Sequence, residues 1–117
     1  MTSPMKPSEA LWKARELISD PKRWTKGEHA RNDENKFADP EDVEAVCFCA
    51  EGALLKVTHS VHFSTARPNL PEKALNFLRR SIGTDLVYQW NDNRRRTHAE
   101  VLAAFTKAIA LAEEAGQ

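Results

Sequence analysis

The stretch THAEVLAAFTKAIALAEEAG, residues 97–116, carries the strongest helical signal in the chain. Thr97 and Glu100 have the spacing of a capping box, in which each side chain accepts a hydrogen bond from a backbone N–H at the helix start. Apolar residues recur every three or four positions after Glu100, which predicts a helix with one buried face that ends at Gly116. The predicted core positions are Val101, Leu102, Phe105, Ala108, Ile109 and Ala112.

Three further segments show helical periodicity, and they cover about residues 8–19, 39–57 and 69–82. Pro21 ends the first segment, since the residue before a proline avoids the helical region. Asp39-Pro40 predicts the start of the second, and Gly83 predicts the end of the third. Gly52 lies inside the second segment, where glycine costs about 1 kcal/mol relative to alanine, and so indicates the close approach of another backbone.

We therefore expect an all-α fold, a single compact domain of four main helices over residues 1–117 with its core between residues 8 and 115. A long ordered loop at residues 21–38 is expected to be pinned to the helices by its aromatic side chains. A minor two-stranded ribbon, which would pair Val57–Phe63 with Leu86–Trp90, is the alternative that stays open.

The composition is that of a globular protein and weighs against some function classes. Hydrophobic residues make up 41% of the 117 residues, and no apolar run approaches the length of a membrane span. The first residues do not resemble a secretory signal, so we expect a cytoplasmic protein with no membrane contact. The 17 basic and 17 acidic residues cancel, which argues against nucleic-acid binding, although residues 28–51 hold eight of the acids and only two of the bases.

The polar loop before the last helix is the predicted site. It contains Trp90-Asn91-Asp92 and the basic run Arg94-Arg95-Arg96, which can bind phosphate or carboxylate together with the free N–H groups of a helix start. Four residues of this region have no part in the capping box and are therefore candidates for a site: Asn91, Asp92, Arg96 and His98. We expect Asp92 and His98 to converge with Trp24 and Arg31, because the long loop needs a docking surface and the loop before the last helix offers polar partners.

A thiol site is the basis of an enzyme alternative. Cys49 would be the nucleophile, His98 its base, and Asp92 the group that orients the base. The predicted second helix places Cys49 about three turns inside, beyond the reach of the helix dipole. A buried structural cysteine is the commoner role at such a position.

A zinc site is a further alternative, and its ligands would be Cys47, Cys49, His59 and His62. On one helix the two cysteine side chains would point about 200° apart, which disfavours both a shared metal ion and a disulfide. We therefore expect no metal, no cofactor and a reducing compartment.

Two motifs carry a resemblance to a known family. Residues 49–54 read Cys-Ala-Glu-Gly-Ala-Leu, and residues 90–101 read Trp-Asn-Asp-Asn-Arg-Arg-Arg-Thr-His-Ala-Glu-Val. Shorter matches extend the likeness to roughly residues 8–115, and they are Trp24-Thr25-Lys26-Gly27, Ala30-Arg31, Asp39-Pro40 and Ala108-Ile109. The chain resembles a family of small, uncharacterised bacterial and phage proteins catalogued as a domain of unknown function, although Phe48-Cys49 stands where members usually have Trp-Cys. The resemblance implies a helical domain and brings no agreed activity, substrate or cofactor.

The leading functional interpretation is a small binding or protein-interaction module of bacterial or phage origin. It would act on a protein partner or a small anionic ligand through the polar loop. The second interpretation is a small enzyme that uses Cys49, His98 and Asp92, or that uses the charged loop on a small anionic substrate. The third is a nucleic-acid-binding protein with a basic surface of Arg79, Arg80 and Arg94–Arg96.

Overall fold

A computed structural model describes residues 5–60, 62–64, 66 and 68–117. Its regular elements are α1 (Pro7–Leu17), β1 (Ala30–Arg31), β2 (Cys47–Phe48), α2 (Ala50–Val57), α3 (Leu70–Ile82), α4 (Val87–Asp92) and α5 (His98–Glu114). A single 3-10 turn, Pro21–Arg23, follows α1. These elements form one globule with a radius of gyration of 13.2 Å. No helix within the described ranges is long and apolar enough to cross a membrane.

Helix α5 packs against α1 and α3 and carries much of the core, as its apolar pattern predicts. The Thr97 hydroxyl accepts a hydrogen bond from the Glu100 N–H at 3.2 Å, and Glu100 Oε1 accepts one from the Thr97 N–H at 2.8 Å. The capping box is thereby confirmed. The largest fully buried apolar side chains are Leu11, Ile18, Phe48, Leu54, Leu55, Leu75, Leu78, Val87, Val101 and Phe105.

Local signals also place α1 and α3 correctly. Asn69 caps α3 by accepting a hydrogen bond from the Glu72 N–H at 3.3 Å, and Gly83 ends it with a φ of +74°. Helix α1 ends at Leu17, and Asp20 caps the following 3-10 turn. Side-chain caps of this kind act over two or three residues, which is why the sequence predicts them well.

The second helix begins at Ala50, and the predicted start at Asp39 is wrong. Asp39 Oδ1 accepts a hydrogen bond from the Glu41 N–H at 2.9 Å and closes a turn instead. Val43, which falls within the predicted helix over residues 39–57, is 95% exposed and lies outside α2. An aspartate followed by proline and acids suits a turn as well as a helix start, so the local pattern does not distinguish the two.

The ribbon exists, but the predicted strands are wrong. Residues Ala30–Arg31 pair antiparallel with Cys47–Phe48, whereas most of the stretch 86–90 lies in α4. Val57 ends α2, and Val61 of the other predicted strand lies outside the described residues. Single pairings of Phe37 with Arg31 and of Trp24 with Phe48 widen the ribbon. The fold is therefore mostly helical, with a short sheet that organises the long loop.

Gly52 marks the predicted close approach of another backbone. A Cβ atom at this position would lie 1.8 Å from the His29 carbonyl oxygen. The Cys49 N–H donates to the same oxygen at 3.1 Å, one residue before α2 begins. The loop backbone at His29 therefore rests directly on the first turn of α2.

We expect Gly52→Ala to lower the free energy of unfolding by about 3 kcal/mol, because the new methyl group collides with a backbone that cannot move aside. Urea unfolding followed by circular dichroism measures the change. Gly83→Ala is the control, since its Cβ meets open space and only the left-handed φ is strained, which costs about 1 kcal/mol. Equal losses in both variants would contradict the close approach.

Candidate functional site

The side chain of Asn91 joins three segments of the chain. It lies in the last turn of α4 and is fully buried. Its Oδ1 accepts hydrogen bonds from Trp24 Nε1 at 2.8 Å and from the Ala50 N–H at 3.1 Å. Its Nδ2 donates to the Thr25 carbonyl at 3.1 Å and to Asp92 Oδ1 at 2.9 Å. All four hydrogen-bonding positions of the amide are thus used inside the protein.

Further contacts confirm that the long loop docks on the turn before α5. Asp92 Oδ1 also accepts a hydrogen bond from the Gly27 N–H at 2.9 Å. Lys26 Nζ donates to the Asn93 carbonyl at 2.7 Å. The two segments that the sequence predicts as partners are therefore in contact.

Arg31 and Arg96 are both engaged within the protein. Arg31 donates to the long loop itself, and its acceptors are Thr25 Oγ1, Asn35 O and Lys26 O. The Arg96 guanidinium lies 4.0 Å from the centre of the Trp90 ring and donates to the Trp90 carbonyl and to Glu100. Both arginines hold backbone in place, and a ligand-binding role for them stays a prediction.

His98 supports the loop from another side. Its Nε2 donates to the Ile18 carbonyl at 2.6 Å, and its ring centre lies 5.9 Å from that of Trp24. His98 does not line the nearby cleft that the long loop, α2 and α4 form. Of the predicted site residues, Trp24, Asn91 and His98 thus serve as supports for the loop, whereas Asp92 reaches the cleft.

A cleft of about 280 Å³ opens where the long loop, α2 and α4 meet. Its lining residues are Gly27, Glu28, His29, Phe37, Cys49, Glu51, Tyr88 and Asp92. Two of the predicted site residues, Cys49 and Asp92, are among them. The other lining residues were not predicted as parts of a site.

The pair of His29 and Glu51 is the feature that sequence reasoning missed. His29 Nε2 lies 3.2 Å from Glu51 Oε2, and the Glu51 side chain is only 11% exposed. The hydrogen bond from Glu51 raises the pKa of His29 above its usual value, burial partly opposes this, and the negative charge of Glu51 adds to it. The two residues are 22 positions apart. The only signal nearby was Gly52, which indicated a close contact without naming the partner.

Cys49 sits at the start of α2, and the predicted position three turns inside a helix is wrong. It is the N-cap of α2, and its Sγ accepts a hydrogen bond from the Gly52 N–H at 3.3 Å. Burial raises the pKa of the thiol to about 12. The thiol is therefore uncharged at neutral pH, which weighs against a nucleophilic role because the thiolate is the reactive form.

The predicted zinc ligands do not come together. Cys47 lies in β2 and not in a helix, so the prediction that the two cysteine side chains point apart on one helix is wrong. Cys49 precedes α2, whereas His59 follows it and contacts Glu41 at 3.5 Å. Within the described part of the chain no three histidine, cysteine or acidic side chains are grouped so that they could hold a metal ion.

Comparison with known proteins identifies a family but no activity. A family model described as a family of unknown function (DUF6197) matches residues 2–111. No curated protein matches the chain. No solved structure matches it either.

Removing the amide of Asn91 should be strongly destabilising. Asn91→Ala leaves two N–H donors and one carbonyl without partners in a buried place, and we expect a loss of about 3 kcal/mol or more in the free energy of unfolding. Chemical denaturation measures it. Asn93→Ala is the control, because this exposed side chain only accepts from the Arg95 N–H, and we expect a loss below about 1 kcal/mol. A small effect of Asn91→Ala would overturn the central role of the amide.

The pKa of His29, followed by NMR, should lie above that of an unperturbed histidine. Glu51→Gln should lower this pKa because it removes the charged partner, whereas Glu113→Gln on α5 should leave it unchanged. Because the pKa is raised in the folded state, the pair stabilises the fold at mildly acidic pH. This stabilisation is lost as the pH rises through the folded-state pKa. An unchanged His29 pKa in Glu51→Gln would refute the pairing.

Proposed function

The chain belongs to this family of unknown function, and we propose its function from the cleft itself: the cleft binds a small organic cation, such as an aliphatic amine. The observation that carries the proposal is the charge of the lining. Glu28, Glu51 and Asp92 contribute three carboxylates, and no lysine or arginine among the described residues lines the cleft. A concave surface with an excess of one sign of charge concentrates ligands of the opposite sign.

Two of these carboxylates are held in place before any ligand arrives. Glu51 contacts His29 through Oε2, and Asp92 is fixed by the Gly27 N–H and by Asn91 Nδ2, both through Oδ1. Among the hydrogen bonds of the described chain, each carboxylate uses one oxygen, so its second oxygen can accept from a ligand. Groups that are already ordered lose little entropy on binding, which favours affinity.

Two aromatic rings complete the cleft. Phe37 and Tyr88 line it and are 62% and 47% exposed. An ammonium group is attracted to the face of such a ring, and an alkyl stem can pack on its edge. The volume is near the lower end for ligand pockets, so the ligand is small.

The cation differs from the small anionic ligand that the sequence favours. That prediction rests on the run Arg94–Arg96 beside the start of α5, and of these three residues Arg96 is engaged with the Trp90 carbonyl and with Glu100. A binding module is still the class of protein we propose. A protein partner, a bacterial or phage origin and a cytoplasmic location stay predictions.

An enzyme is the second candidate, and the pair of His29 and Glu51 favours it. A buried carboxylate that orients a half-exposed imidazole in a cleft is an arrangement suited to general base catalysis. Because the Cys49 thiol is uncharged, the catalytic group that we propose for this enzyme candidate is His29 and not Cys49 with His98. If mass spectrometry finds a bound amine chemically unchanged after long incubation with the protein, this candidate fails.

Binding is tested with putrescine, agmatine and choline at constant ionic strength and about pH 8.5, because a higher pH favours the neutral form of His29, whose pKa is raised. Backbone amide spectra recorded by NMR report on the lining. We expect at least one amine to shift the Gly27 and Glu28 signals in a saturable way. The neutral 1,4-butanediol, which matches putrescine in length, should not.

Two variants that lose the same charge make the test specific. Glu51→Gln should weaken binding about tenfold, since it removes one of three carboxylates in the cleft, equivalent to about 1.4 kcal/mol. Glu113→Gln removes an acid far along α5 and should leave the affinity unchanged. Absence of any saturable shift, or equal weakening by both variants, would refute the proposed cation site.

A further inference from the structure

Two segments rich in positive charge lie against each other beside the cleft. Lys26 Nζ donates to the Asn93 carbonyl at 2.7 Å and lies 3.4 Å from the Arg94 carbonyl. The Trp24 ring is fixed to Asn91 by the hydrogen bond of its Nε1. These contacts place Lys26 directly against the turn that carries Arg94 and Arg95. We call the five cations of the two segments in contact the basic junction: Lys22, Arg23, Lys26, Arg94 and Arg95.

The charge of the basic junction is not neutralised by neighbours. Lys22, Arg23, Arg94 and Arg95 are exposed, and none of the four takes part in an ion pair within the described chain. By contrast, Arg79 and Arg96 pair with glutamates. The two acids of the same segments, Asp20 and Asp92, accept hydrogen bonds from the backbone N–H groups of Lys22 and Gly27 and form no ion pair with these cations within the described chain.

The position of the basic junction adds to its positive potential. It precedes α5, whose 17 residues place the positive end of the helix dipole next to Arg94 and Arg95. Seven of the eight acids of residues 28–51 lie between residues 33 and 51, outside the two segments of the basic junction. The net charge of the chain is zero, but its positive and negative side chains are concentrated in different segments. The zero net charge therefore does not weigh against the binding of a polyanion at this surface.

We propose that the basic junction binds the phosphate backbone of nucleic acid without reading its sequence. Arginine forks and lysines are suited to phosphate oxygens, and here they project from turns whose backbone is held by hydrogen bonds. No recognition helix is presented, since the cations lie in turns. The Trp24 and Trp90 rings already pack against His98 and Arg96, so they do not offer bases a free stacking surface. The basic junction is therefore suited to contact phosphate groups, and such contacts do not depend on the base sequence.

Fluorescence anisotropy with a labelled 20-nucleotide strand, and with its duplex, tests the proposal. We expect a Kd in the range of about 10⁻⁴ to 10⁻⁶ M at physiological salt, and binding that tightens steeply as the salt concentration is lowered. The double variant Arg94→Gln/Arg95→Gln should weaken binding at least tenfold. It should also reduce the slope of log K against log salt by about 1.4 to 1.8, the value for two lost phosphate contacts. Binding of either the single strand or the duplex supports the proposal.

The control is Lys13→Gln/Lys107→Gln, which removes the same charge from exposed positions on α1 and α5. Its affinity and salt slope should stay close to those of the unaltered protein. Thermal unfolding of each variant shows that it is folded before binding is measured. Absence of binding at low salt, or equal weakening by both double variants, would overturn the proposal, since the second result would reflect net charge alone.

Discussion

The buried amide of Asn91 is the interaction on which the arrangement of the site depends. It holds the Trp24 side chain, the Thr25 backbone and the first residue of α2 at once. In a place without water each of these polar groups would be costly to leave unpaired, so the three segments form or separate together. Asp92 follows directly and turns the same junction into one wall of the cleft.

A second constraint lies on the other wall. Because Gly52 has no side chain, the His29 backbone packs directly against α2, and this contact places the imidazole beside Glu51. The contact between the His29 backbone and α2 therefore both forms this wall of the cleft and pairs His29 with Glu51. Because both walls are fixed by backbone contacts, two of the three carboxylates of the cleft, those of Glu51 and Asp92, are held in place without a ligand.

The same junction separates charge along the chain. Acidic groups face the cleft, whereas the exposed lysines and arginines of the 3-10 turn and of the turn before α5 face solvent beside it. The two surfaces suit ligands of opposite sign. Only the proximity of residues about 65 positions apart creates either of them.

The sequence by itself determined the ends of α3 and the start and apolar face of α5, because caps and helical periodicity act within a few residues. It also indicated that Trp24, Asn91 and Asp92 belong together, since polar loops need partners. Tertiary structure alone decided that Asp39 closes a turn and that Cys49 is the N-cap of α2. It alone paired His29 with Glu51, because no local spacing encodes a contact between residues 22 positions apart.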